Sequence, residues 1–326
     1  MKKRPSLDSL MKREVPESSA FSRRDFLRAQ IAGMIWAAAG ASGILMPRWG
    51  MAADVPDVVK AKGLPGPATR AAVNALGGMK TFVKEGSRVV IKPNMSFANT
   101  PESATNTHPE VVRELVAMCK EEGASRVLVL DHTLQSAELC LQQSGIRDAC
   151  KVFNEDIVHT LSKSSFYESA KIEKGVDFKE TDVMKDVLNA DVLIAAPVAK
   201  SHANTGVSLS MKGMMGLIWD RGTMHRDYDL HSAIVDLCTL LTPQLVVVDA
   251  TRVLTSNGPS GPGRIVRKNV VVASKDMVAA DAQTVLLSEW YGRRFEPRQV
   301  KHIQIAHSRG LGRMDVENLT VKEIEA

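Results

Sequence analysis

Between residues 86 and 291 the chain alternates short apolar runs with longer stretches in which apolar residues recur at helical spacing. Residues 88–92, 126–131, 191–196, 244–249 and 270–273 are short and nearly continuous in Val, Leu, Ile and Ala, which predicts strands buried on both faces. The stretches between them read differently. In residues 109–122, Val111, Val112, Leu115, Val116 and Cys119 fall on one side of a helix that stops at Gly123. Residues 137–150, 182–188, 230–241 and 277–290 also predict helices. This alternation predicts an α/β fold, a mainly parallel twisted sheet flanked by helices in Rossmann-like layers. Residues 53–85 read as an irregular lead-in, 151–179 as a polar insertion, and 292–326 as a C-terminal helical extension.

Polar residues cluster where this pattern places strand ends. Lys92, Asn94, Asp131, Lys200, His202 and Asp249 all fall at or just past the C-terminal ends of predicted strands. Ligands of open α/β sheets bind at that edge, where the following helices present free N–H groups.

The segments Lys92-Pro93-Asn94, Thr107-His108-Pro109, Leu130-Asp131, Pro197 to His202, Ser210 to Gly216, His231, Val248-Asp249-Ala250, Gly258 to Gly261 and Ser274 to Asp281, taken in this order, carry a resemblance. Over most of residues 86–291 the chain resembles the domain of unknown function 362 family of bacteria and archaea. The resemblance implies a fold and a shared site but no settled reaction. Some members join this domain to ferredoxin-like cysteine motifs, which this chain lacks.

The residues themselves suggest chemistry. Lys92, Lys200 and Lys212 can offer cations to one pocket, and a compact ammonium suits a carboxylate or phosphate. Lys92 and Lys200 closely follow apolar runs, where an idle charge is costly. His202 and His231 are candidates for proton transfer or metal ligation, with His108 and His225 behind them. No H-x-x-x-H or H-E-x-x-H spacing occurs, so a divalent metal would need ligands from separate loops. His108 also fits a helix start, with Thr107 as N-cap and Pro109 as the first helical residue. Asp131 and Asp249 can orient a histidine or bind a cation, and Asp276 reads as an N-cap. The loop from Gly258 to Gly263 has no nucleotide-binding glycine spacing. Met211, Met214, Met215 and Met224 fit core packing better than a copper site.

Charge first suggests a basic protein, with 42 Lys and Arg against 37 Asp and Glu. Residues 1–52 hold nine of those basic and four of those acidic residues, which leaves 33 of each and a formally neutral remainder. Nothing then argues for nucleic-acid binding. Within the leader, Arg23-Arg24 precedes Phe26-Leu27 and a soft apolar stretch over 31–46. That stretch is shorter than the roughly 20 residues of a membrane-spanning helix. Gly50-Met51-Ala52 offers a cleavage site. Residues 1–52 therefore resemble a twin-arginine signal peptide, implying export by the twin-arginine translocation machinery to the periplasm, with retention as an uncleaved anchor the minor variant. Cys119, Cys140, Cys150 and Cys238 include no C-x-x-C pair, so no iron–sulfur cluster is expected from them. Cys140 and Cys150 can pair only if the fold brings them together.

Two function classes remain open. One is an enzyme acting on a small anionic ligand, with the lysines as a clamp, His202 or His231 as acid/base and Asp249 as orienting group. The other is a periplasmic protein that binds or matures a metal or redox cofactor and serves a redox partner.

Overall fold

The computed structural model describes residues 55–326, and the proposed leader lies outside the described residues. In chain order the strands are β1 (Val58–Lys62), β2 (Arg88–Pro93), β3 (Arg126–Asp131), β4 (Val158–Thr160), β5 (Tyr167–Lys171), β6 (Glu180–Met184) and β7 (Val192–Ala196). They continue with β8 (Val198–His202), β9 (Gly206–Ser208), β10 (Leu245–Leu254), β11 (Ile265–Ser274), β12 (Glu289–Trp290), β13 (Arg293–Arg294) and β14 (Val321–Glu325). Ten of these form one sheet, in the order β14-β1-β11-β10-β7-β2-β3-β4, with β8 joined to β10 and β9 joined to β8. The five strands from β10 to β4 run parallel. Antiparallel pairing appears at β11 with β10 and β1, and at β9 with β8, so the sheet is mixed around a parallel centre.

Side chains on successive strand residues point to opposite faces. Val89 and Ile91 of β2 enter one core with Val127 and Val129 of β3, under the helices Pro65–Ala75 and Pro109–Glu121. Val90 enters the other with Leu128, Leu130, Val246 and Val248, under the helices Leu230–Leu240, Met277–Val285 and Lys301–Ser308. Both faces are covered, which is why the strand runs are almost uninterruptedly apolar.

Strand order fixes where a ligand can enter. From β2 the chain steps outward to β3 and β4, then returns to lay β7 on the other side of β2. The order reverses between β2 and β7, and the loops leaving their C-terminal ends diverge and open a crevice there.

Several segments differ from the sequence expectation. Residues 53–85 contain β1 and the helix Pro65–Ala75. β1 is a five-residue run held between β11 and β14, partners more than 200 residues away, so its pairing leaves no local signature. Within 292–326 the helix Lys301–Ser308 is present, but the chain ends as β14, parallel to β1. The helix expected over 137–150 is two, divided at Gly145, whose φ of 71° ends the first. Residues 180–184 form β6, paired with β5, leaving a helix only over Lys185–Leu188. The helix starting at Met277 ends at Val285, and Trp290 lies in β12. All four cysteines are buried and free, so Cys140 and Cys150 are not bridged. Met211, Met214, Met215 and Met224 are core residues.

Candidate functional site: a cationic cavity at the strand-order reversal

A cavity of about 270 Å³ opens at this reversal, and it gathers Lys92, Asn94, Asp131, Lys200, His202 and Lys212. Lys92 shares the face of Val90, two residues before it, and its ammonium lies 3.1 Å from Asp131 Oδ1 at the end of β3. Both side chains are buried. Asp131 Oδ2 accepts from the Met95 N–H (3.0 Å) and the Ser96 hydroxyl (2.9 Å), so the loop leaving β2 fixes the carboxylate. Gly216 passes directly over the pair. A Cβ at that position would collide with Asp131 Oδ1 and Lys92 Cε, so only glycine lets the backbone come this close.

Asn94 Oδ1 accepts from the Val198 N–H (3.0 Å), tying the β2 loop to β8. Along β8, Lys200 and His202 sit two residues apart and both line the cavity. Lys200 Nζ donates to Thr105 O (2.6 Å) and lies 4.9 Å from the centroid of the Phe97 ring. His202 Nδ1 accepts from the Asn204 N–H (3.2 Å), and its ring stacks at 6.4 Å on His225, another lining residue. Lys212 projects from the short helix Ser210–Gly213. Buried Asp281 anchors the start of that helix, accepting from Ser210 N–H (2.9 Å), Ser210 hydroxyl (2.7 Å) and Met211 N–H (3.0 Å).

Sequence reasoning missed Arg221, which lines the cavity and donates to His132 O, together with Ser96, Phe97 and Ser208. Arg221 lies on a helix start after Asp220, far from any strand end, so the pattern that flagged the lysines passed it by. The structure places His231 and Asp249 elsewhere. The His231 ring stacks on His302 at 5.8 Å, outside the cavity lining. Asp249 is fully buried in β10 and accepts from the His108 N–H (2.8 Å), the Thr251 N–H (3.0 Å) and Arg252 Nη2 (2.7 Å). Burial alone would raise its pKa, but Arg252 and these hydrogen bonds hold it below the usual carboxylate range. It locks the 94–108 loop to the sheet. The N-cap of the helix Pro109–Glu121 is His108, which accepts from the Glu110 N–H. Thr107, expected there, donates instead to Ala196 O. Asp276 caps the next helix as expected.

Four cations, Lys92, Lys200, Lys212 and Arg221, therefore face one carboxylate, Asp131. Burial lowers the pKa of Lys92, with Asp131 opposing. Burial takes Lys200 down to about 7, Asp131 opposing and the like charges of Lys92 and Lys212 adding to it. Lys212 falls to about 8 through burial and Arg221. His202 is pushed by burial, then by Lys212, to about 3, so its imidazole is neutral at physiological pH. Among the described residues, no group of three or more His, Cys, Asp or Glu side chains is arranged to hold a metal ion.

Residues 89–285 match the family described as "Domain of unknown function (DUF362)". The chain belongs to the DUF362 family. The matched span runs from β2 through the helix Met277–Val285 and includes every cavity residue named above. A curated relative of this DUF362 protein, "Thylakoid-associated protein sll1697" from Synechocystis sp., is 27% identical over 220 residues, covering 65% of this chain and 66% of the relative. A solved structure, the lactate racemase apoprotein from Thermoanaerobacterium thermosaccharolyticum, is similar with a TM-score of 0.42 and 14% identity, over 70% of this chain and 57% of that one. The chain thus spans less than two thirds of that solved structure and about two thirds of the curated relative.

Proposed function

We propose that this DUF362 protein is an enzyme that binds a small organic anion, a carboxylate or phosphate, in the cavity between β2, β3 and β8. The observation that carries this reading is the charge imbalance: four basic side chains line the cavity with a single carboxylate among them. Holding unpaired cations out of water is costly, and a bound anion removes that cost. About 270 Å³ suits a ligand of a few carbons with its charged groups.

Roles follow from the electrostatics. Lys92, paired with Asp131, together with Lys212 and Arg221 can serve as the clamp. Lys200 and Lys212 change protonation near neutrality, where acid/base catalysis is most effective. His202, kept neutral, serves as a hydrogen-bonding partner rather than as the acid/base. Export by the twin-arginine route, proposed from residues 1–52, would place this chemistry in the periplasm.

Thermal denaturation of the mature protein with oxalate, inorganic phosphate, sulfate and, as a cationic control, choline tests the reading. The anions raise Tm and choline does not. Equal response to all four, or to none, contradicts an anion site.

A further inference from the structure

The four cations of the cavity are not equivalent. Lys92 has a carboxylate beside it. Arg221 is a guanidinium, which stays protonated. Lys212 stands on a short helix facing Arg221. Lys200 is as deeply buried as Lys92, with 2% exposure, but has no carboxylate in contact; it lines the cavity with Lys92 and Lys212, its Nζ over the Phe97 ring and hydrogen-bonded to the Thr105 carbonyl. A desolvated lysine beside other cations is the arrangement that frees an amine lone pair for attack on carbonyl carbon.

We infer that Lys200 is a catalytic nucleophile that forms an imine with the carbonyl of a small 2-oxo acid, whose carboxylate is clamped by Lys212 and Arg221. This rests on the anion-site reading and names its substrate class. The neutral amine of Lys200 adds its lone pair to the carbonyl carbon, and the C=O π pair passes to oxygen. Transfer of one amine proton to that oxygen gives the carbinolamine. Loss of hydroxide with the second amine proton then gives one C=N bond and one water, so amine plus ketone equals imine plus water, with no oxidant or reductant required. His202, two residues along β8 on the same cavity wall, is a neutral hydrogen-bonding partner beside the oxygen that leaves. The pKa of about 7 given to Lys200 by burial and its neighbours supports the assignment, because the free amine is then abundant at neutral pH.

The test uses two probes. Pyruvate carries the carbonyl, whereas oxalate offers carboxylates without a ketone. Mature protein is incubated with pyruvate, reduced with sodium cyanoborohydride, which delivers hydride to the imine carbon, and its peptides are mapped by mass spectrometry. Oxalate-induced change in Tm is measured in parallel. The expected result is the mass of the reduced pyruvyl adduct on the peptide carrying Lys200, its loss in Lys200→Arg, and its suppression by oxalate. A Tm rise with oxalate but no adduct, or one spread over surface lysines and unchanged in Lys200→Arg, overturns the inference and leaves the anion site standing. If oxalate leaves Tm unchanged and no adduct forms, both readings fail.

Discussion

At the scale of single residues, the cavity is costly to the empty protein. Lys212 has no carboxylate partner among the described residues, so Lys212→Met is expected to stabilise the ligand-free protein by about 1–2 kcal/mol near pH 7. The same change weakens oxalate binding by about 1.5–3 kcal/mol, the worth of a lost charge-assisted contact. Denaturant melts and titration calorimetry read the two effects, and a variant that lost both stability and affinity would argue for a structural lysine. The pH dependence has a definite sign. Lys200 and Lys212 hold their protons less tightly in the fold than in the unfolded chain, so the unfolded state binds more protons between about pH 7 and 10. Stability attributable to them therefore rises with pH in that window, and the advantage of Lys212→Met shrinks as the pH passes 8. Asp131→Asn leaves Lys92 buried without its counter-charge and costs about 3–5 kcal/mol, measured by the same melts.

The elements explain why six cavity residues were legible in the sequence and others were not. Lys92, Asn94, Asp131, Lys200 and His202 stand out because a polar residue ending a buried apolar run is rarely idle, whereas Lys212, on the helix Ser210–Gly213, stood out by its charge and its place in the Ser210–Gly216 segment. Asp249 satisfied the same rule yet serves as a lock, because its run does not stop there. β10 continues to Leu254, with a break in register so that Val198 pairs with Asp249 and Lys200 with Leu254. That continuation carries Arg252, the buried partner that takes the Asp249 charge. Single-residue chemistry could not separate the two aspartates; only the register of β8 on β10 does. His231 was singled out for its type, but helix geometry turns it toward His302. Asp281 shows the reverse case. Buried in the middle of Met277–Val285, it acts through the helix that carries Lys212 and is a positioning residue. Asp281→Ala is expected to remove that cap at a cost of about 1–2 kcal/mol and to lower oxalate affinity, an effect absent in a Lys212→Met background. An affinity loss of equal size in both backgrounds would refute the link through Lys212.

At the scale of the whole molecule, the parallel centre and the helix-flanked layers were readable from hydrophobic periodicity, whereas β1, β8, β9 and β14 were not. β1 and β14 are short and pair with partners far along the chain, so the information for them lies in the sheet. The site depends on that completed sheet, since the crevice exists only because β7 returns to the other side of β2. The proposed leader makes a separate prediction for the intact chain. Replacing Arg23 and Arg24 together by lysine should hold the protein in the cytoplasm in a fractionation experiment, and unchanged export would refute the twin-arginine proposal. The central claim is that a small anion completes the charge of this cavity. Calorimetric titration with oxalate at pH 7.5, repeated in buffers of different ionisation enthalpy, tests it most directly. Binding accompanied by net proton uptake that falls toward zero at pH 6, where Lys200 and Lys212 already hold their protons, is the predicted result. The absence of binding, or binding without proton uptake at either pH, would contradict the account.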